Sequence, residues 1–234
     1  MLAKRIIPSI LHKNGKLVKG KQFINDRVIG VALQSARIYA QRSVDELLIL
    51  DVSATAEGRD PNYFLVKSLA KDCFSPVTVG GGVRTEQHVH KLLRSGADKV
   101  CIGAGAKADF IQNLAAKYGS STIVVSIDVD HTSHSLTRKT VQFYESLGAG
   151  EILLQSVTND GRMVGYDYAL IQEVAGAVNI PVIASGGCGC YSDMSRAFLN
   201  GADAVAAGAL FAFTDATPQG AAEFLRSDGF EVRL

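Results

Sequence analysis

A (β/α)8 barrel, the TIM-barrel class of α/β fold, is predicted by three observations on this sequence. Short β-rich runs recur eight times, alternating with helical patterns. Several runs are continuous apolar blocks, such as LLIL and TIVV, which is how strands read when both faces of a parallel sheet are covered. One stretch also occurs twice: residues 76–106 (PVTVGGGVRTEQHVHKLLRSGADKVCIGAGA) and 181–211 (PVIASGGCGCYSDMSRAFLNGADAVAAGALF) align without a gap, 105 residues apart in a chain of 234.

Taken in order, the strands are expected at 5–11, 46–52, 77–79, 99–102, 122–128, 151–156, 181–184 and 204–207. Helices are expected at 34–41, 63–70, 86–94, 110–117, 138–146, 168–177 and 194–199. Strict alternation of strand and helix implies parallel strands with right-handed crossovers. An open doubly wound sheet would alternate in the same way, but it does not require the repeat. A two-fold pseudo-symmetric barrel does, and Glu46 and Glu151 fall on each other at the same offset, each opening a strand. The chain is therefore expected to be one domain, 1–234, of two half-barrels, about 1–120 and about 121–234. Residues 13–30 are left as a loop carrying Lys13, Lys16, Lys19 and Lys21, which either face an anionic ligand or are solvated.

Composition narrows the function classes. A net charge of +1 gives no global field to draw the chain to nucleic acid or membrane. No apolar run approaches a membrane span, and MLAKRIIPSI lacks a cleavage-site pattern. Four cysteines (Cys73, Cys101, Cys188 and Cys190) make no disulfide framework in a chain of this length. Cys188-Gly189-Cys190 has no second ligand pair at metal spacing. A cytoplasmic protein with no metal and no cofactor is expected.

The chemistry is expected in the turns that follow the strands, on the catalytic face of a barrel. Gly81 and Gly82 follow the third strand, Gly103 and Ala104 the fourth, Gly186 and Gly187 the seventh, Ala207 and Gly208 the eighth. Such turns bring backbone N–H groups and helix N-termini to an oxyanion. Paired sites on opposite sides of the mouth suit a long ligand with an anion at each end. Asp51, Asp128 and Ser156 end the second, fifth and sixth strands and are expected to ring the centre.

Beyond these patterns, MLAKRII, LVKG, VDELLILDVSAT, VTVGGGVRT, SIDVD, GAGEILLQSV, NDGRMVGYD, PVIASGG and NGADAVAAGALF resemble, in order and along the whole chain, the cyclase subunit family of imidazole glycerol phosphate synthase (HisF). The resemblance implies a bisphosphorylated substrate across the mouth and a HisH-like glutaminase docked on the N-terminal face. It also implies ammonia passing through the barrel. It places a charged gate on Arg5, Glu46, Lys99 and Glu151, phosphate contacts on the glycine turns above, a loop lysine on Lys19, and a loop acid segment on Asn159-Asp160-Gly161.

Three departures stand out. Of the family's two catalytic aspartates, Asp128 is present, but Leu11 stands in place of the other. A hairpin expected after the fifth strand is missing, and the strand ends read Gln155-Ser156 and Gly103. Leu11 and Pro8 resemble a branch associated with sugar amidation (the WbuZ type), in which the barrel passes ammonia on. The expected function is thus a HisF-like synthase subunit serving surface-sugar amidation. The alternatives are the lyase/cyclase subunit of histidine biosynthesis, a non-catalytic partner that activates a glutaminase, and an isomerase of the sister barrel family, against which Leu11 counts equally. His12, His131 and His134 are the candidates to replace the missing acid.

Overall fold

The computed structural model describes residues 3–42, 44–130 and 134–233, with side chains for all of these but 25 and 134–136. Strand β1 (Arg5–Lys13) runs into a hairpin, β2 (Lys16–Lys21) and β3 (Ile24–Val31). The chain then alternates through α1 (Ala32–Ala40), β4 (Leu47–Asp51), α2 (Tyr63–Leu69), β5 (Val77–Gly80), α3 (Glu86–Arg94), β6 (Lys99–Gly103) and α4 (Ala108–Tyr118). It continues through β7 (Ile123–Val129), α5 (His134–Ser146), β8 (Glu151–Ser156), α6 (Tyr168–Ala175), β9 (Val182–Ser185), α7 (Tyr191–Leu199) and β10 (Ala204–Ala207). Two helices, α8 (Ala209–Phe213) and α9 (Pro218–Ser227), follow. Parallel pairing runs β1-β4-β5-β6-β7-β8-β9-β10, and β10 pairs back to β1, from Arg5 opposite Ala204 to Pro8 opposite Ala207. Eight parallel strands thus close a (β/α)8 TIM barrel.

Side chains alternate in and out along each strand. On β1, Ile6 and Ile10 join the layer between barrel and helices, while Ile7 faces inward. Inside the barrel, Ile7, Leu48, Cys101, Val124, Leu153, Ile183, Ala204 and Ala206 form one apolar belt. Cys101 belongs there as a small hydrophobe; burial pushes its thiol up to about 12. All four cysteines are free.

The doubled stretch folds twice by the same devices. Gly96 and Gly201, at φ +105° and +100°, end α3 and α7, and a Cβ on either would strike Ala70 or Ala175. The aspartates that follow tie back to the preceding strand: Asp98 accepts from the Val77 amide (2.8 Å) and Asp203 from the Val182 amide (3.1 Å).

The segment 13–30, expected as a loop, is a hairpin that extends β1. Asn14 and Gly15 carry φ of +49° and +79° at its first turn. This is the Asn-Gly pair that favours a tight two-residue connection, and His12 and Lys13 pair with Leu17 and Lys16 across it. Among the described residues no helix is long and apolar enough to cross a membrane.

Candidate functional site

The floor of the barrel is a closed ring of charge. Arg5 Nη1 lies 2.7 Å from Glu46 Oε2 and 3.2 Å from Glu151 Oε1. Lys99 Nζ lies 2.9 Å from each of the same acids, and Thr78 donates its hydroxyl to Glu46. All four charges expected at the N-terminal face are therefore brought together, two acids each bridging two bases. Burial opposes the charge on Arg5, but Glu151 and Glu46 more than offset it and its pKa is raised. Such a ring is stable because each buried ion keeps two partners; removing one would strand the rest.

At the opposite end, beyond the apolar belt, lies the mouth. One cavity of about 80 Å³ is lined by Gly186, Gly187, Ala207 and Gly208 together with Lys19, Asp128 and Asp160. Its floor is polar, with Ser9, Ser126, Gln155 and Ser185 turned inward, and Leu11 lies on its wall. The glycines are required: Gly186 has φ +91° and a Cβ there would sit 2.5 Å from Ser156 O; Gly187 has φ +105° and would meet Gly165 O at 2.2 Å.

Three ionisable groups converge on this cavity. The hairpin carries Lys19 inward until its ammonium covers Gly208 and donates to Ser9 O (3.3 Å). Burial lowers its pKa to about 8, with Asp160 partly opposing. Burial raises Asp160, against Lys19 and a hydrogen bond from Gln155 (3.2 Å). Asp128 is open to the mouth, yet the surrounding walls exclude enough water to raise its pKa, with the Ser126 hydroxyl (3.3 Å) partly offsetting. A carboxyl raised in this way is suited to proton transfer.

Of the four residues expected at the other end, Gly103 lines a second, larger cavity of about 620 Å³ beside Val83, Arg84, Ile102, Lys107 and Phe110. Gly82 is buried, its amide donated to Thr55 Oγ1 (3.2 Å), and the Ala104 amide goes to Ser126 O (2.9 Å). Gly81 is held at φ +98°, where a Cβ would sit 2.2 Å from Asp51 O.

Two expected centre residues face elsewhere. Asp51 and Ser156 end their strands with side chains on the outer side, one position past the inward Leu50 and Gln155. Asp51 is buried and bound by Arg59 through two bonds of 3.2 Å, by the Ser53 amide (3.2 Å) and by the Ala54 amide (3.1 Å). Burial alone would raise its carboxyl, but these bonds and His12 bring it below the usual range. Ser156 borders Tyr166 and Leu170, behind the strands. The inward partners Ser9, Ser126 and Ser185 were absent from the sequence reading; strand alternation was the signal that would have found them.

Of the candidates to replace the missing acid, His12 does not reach the mouth. His12 is buried on the outer side of β1, 3.8 Å from Asp51, and burial lowers its pKa. His131 and the side chain of His134 lie outside the described residues. Of the four hairpin lysines Lys19 alone is buried, while Lys13 pairs with Asp26 at 2.8 Å. Among the described residues, no three His, Cys, Asp or Glu side chains are grouped to hold a metal ion.

The chain is similar along its whole length to proteins of one family. A family model described as "Histidine biosynthesis protein" matches residues 5–217. An "Imidazole glycerol phosphate synthase subunit HisF" from Dictyoglomus turgidum is 39% identical over all of both chains. One of the same name from Wolinella succinogenes is 40% identical over all of this chain and 99% of its own. A "Putative imidazole glycerol phosphate synthase subunit hisF2" from Campylobacter jejuni is 40% identical over all of both.

Proposed function

Since the chain belongs to the HisF-like family of imidazole glycerol phosphate synthase subunits, we propose that it is a synthase subunit whose mouth holds a phosphorylated substrate and whose floor admits ammonia. One observation carries this: the glycine cradle, Lys19 and Asp128 share a single cavity. A phosphate in that cradle meets the amides of Gly187 and Gly208 and the Lys19 ammonium. Asp128 then acts as the proton-transfer group of the lyase and cyclase steps. Ammonia comes from a HisH-like glutaminase docked on the N-terminal face, and the ring of Arg5, Glu46, Lys99 and Glu151 is its gate. The apolar belt above the ring keeps water from following.

The comparisons favour the histidine-pathway subunit over sugar amidation, on which none of the matched names bears. One observation supports an ammonia-handling paralogue: Leu11 lines the mouth with Asp128 and carries no proton. The deciding experiment is complementation of a strain lacking the cyclase. Growth without histidine supports the synthase. Failure to grow, with ammonia still released by the glutaminase partner, supports the paralogue.

A further inference from the structure

We propose that the outer side of the β2–β3 hairpin carries a second anion site, separate from the mouth, which takes a phosphate chain, free or as the tail of a nucleotide. A cavity of about 510 Å³ lies there, between Lys21 and Arg27 of the hairpin, Met163 of the loop after β8 and Phe213 of α8. Lys19, Gly20 and Gly161 line both this cavity and the mouth and so divide one from the other. The division is tight: Gly161 has φ +67°, and a Cβ there would strike Gly20 O.

Charge on this side has one sign. Lys19 and Arg27 are paired across the hairpin, and Lys21 follows on the same strand opposite Ile24. Like charges at opposed positions of two strands destabilise their pairing. Lys19 leaves the conflict by turning into the mouth, while Lys21 and Arg27 stay exposed beside the cavity. No Asp or Glu is among its described lining residues. Asp26, next to Arg27 in the chain, is taken by Lys13 at 2.8 Å. Among the described residues, neither Lys21 nor Arg27 has an ion-pair partner. A bound anion would supply what the hairpin lacks.

The surroundings are prepared for one. Arg27 lies over the Phe213 ring, 4.9 Å from its centroid. Stacking fixes the plane of a guanidinium and leaves its N–H edge to meet phosphate oxygens. On the loop side, Met163 has a left-handed backbone, φ +54°, which a methionine rarely adopts. No group among the described residues accepts its amide, which adds a donor. Size separates the two sites: about 80 Å³ in the mouth fits one small anion, whereas about 510 Å³ has room for several linked phosphates.

The full chain is titrated calorimetrically with inorganic tripolyphosphate while saturating inorganic phosphate fills the mouth. Tripolyphosphate should still bind. Lys21→Gln and Arg27→Gln should each weaken it about tenfold, the loss of one charge-assisted contact, and Arg27→Lys should restore most of the affinity. Both side chains are exposed, so the variants should fold, which urea unfolding checks. The same titration with ATP separates the sources. Affinity equal to that of tripolyphosphate assigns the site to the tail of a nucleotide; affinity tenfold weaker assigns it to the free chain. Unchanged affinity in both glutamine variants overturns the inference. So does an unsubstituted chain that binds no tripolyphosphate once phosphate fills the mouth. Neither result touches the reading of the mouth, which inorganic phosphate alone tests.

Discussion

Replacing Lys19 with methionine should uncouple phosphate binding from pH. The buried Lys19 ammonium has its pKa lowered from 10.5 to about 8. At about 1.36 kcal/mol per unit, that gap amounts to about 3 kcal/mol in favour of the neutral amine under the closed hairpin. The folded pKa lies below the unfolded one. Between about 8 and 10.5 the closed state therefore binds fewer protons than the open state, and its stability rises with pH across that window. Below it, both forms are charged and the closed hairpin carries the full cost of the buried ion. A phosphate dianion in the cradle reverses the preference and pulls the pKa back up. Binding of inorganic phosphate at about pH 9 should then take up most of one proton, and affinity should fall up to about tenfold per pH unit above about 8. Calorimetry in two buffers of different ionisation enthalpy measures the uptake. Lys19→Met should bind more weakly, without uptake and without that pH dependence. Equal proton uptake in Lys19→Met, or an affinity that is flat across this range in the unsubstituted chain, would refute the assignment of Lys19 to the anion.

Other outcomes follow from the same geometry. Leu11→Asp should raise ammonia-dependent turnover of the synthase substrate by about 10²–10⁴-fold if the mouth lacks only its second proton carrier; unchanged turnover assigns the loss elsewhere. Glu46→Ala removes the shared partner of Arg5, Lys99 and Thr78. It should cost about 3–5 kcal/mol in urea unfolding, and a loss under 1 kcal/mol would mean the ring behaves as surface pairs. Gly186→Ala should destabilise the fold by more than about 1 kcal/mol, because it meets both a left-handed backbone and Ser156 O. Gly103→Ala, by contrast, should be close to neutral, because a Cβ there meets nothing within 4 Å; similar losses at the two positions would refute that distinction.

The order of elements was legible because alternation of apolar runs with helical patterns is a local property, and the repeat supplied closure. The charged ring at the floor was legible from resemblance at the strand starts, and its mutual ion pairs give it a physical reason. What stayed hidden was the direction of side chains at strand ends. Asp51 and Ser156 sit one residue beyond Leu50 and Gln155, and a single step along a strand turns a side chain from the mouth to the helix layer. Charge drew attention to Asp51, whereas the inward residue there is apolar. The hairpin was missed although Asn14-Gly15 announces it, because residues 13–30 read as a lysine-bearing loop, solvated or facing an anion. The resemblance singles out Lys19 among the hairpin lysines; the physical reason it turns in is the hairpin's path across Gly208.

The side chains of Asp98 and Asp203 each bind the strand that precedes their own helix, within one copy of the doubled stretch. The devices that join helix to strand are thus local to each copy and lie at the end of the barrel away from the mouth. Residues such as Leu11, Gly103 and Gln155 take no part in those joints. A lineage can therefore replace what the strands present at the mouth, one position at a time, while the joints that set the strands in place go on unchanged. In such a molecule, divergence of activity does not have to wait for divergence of fold.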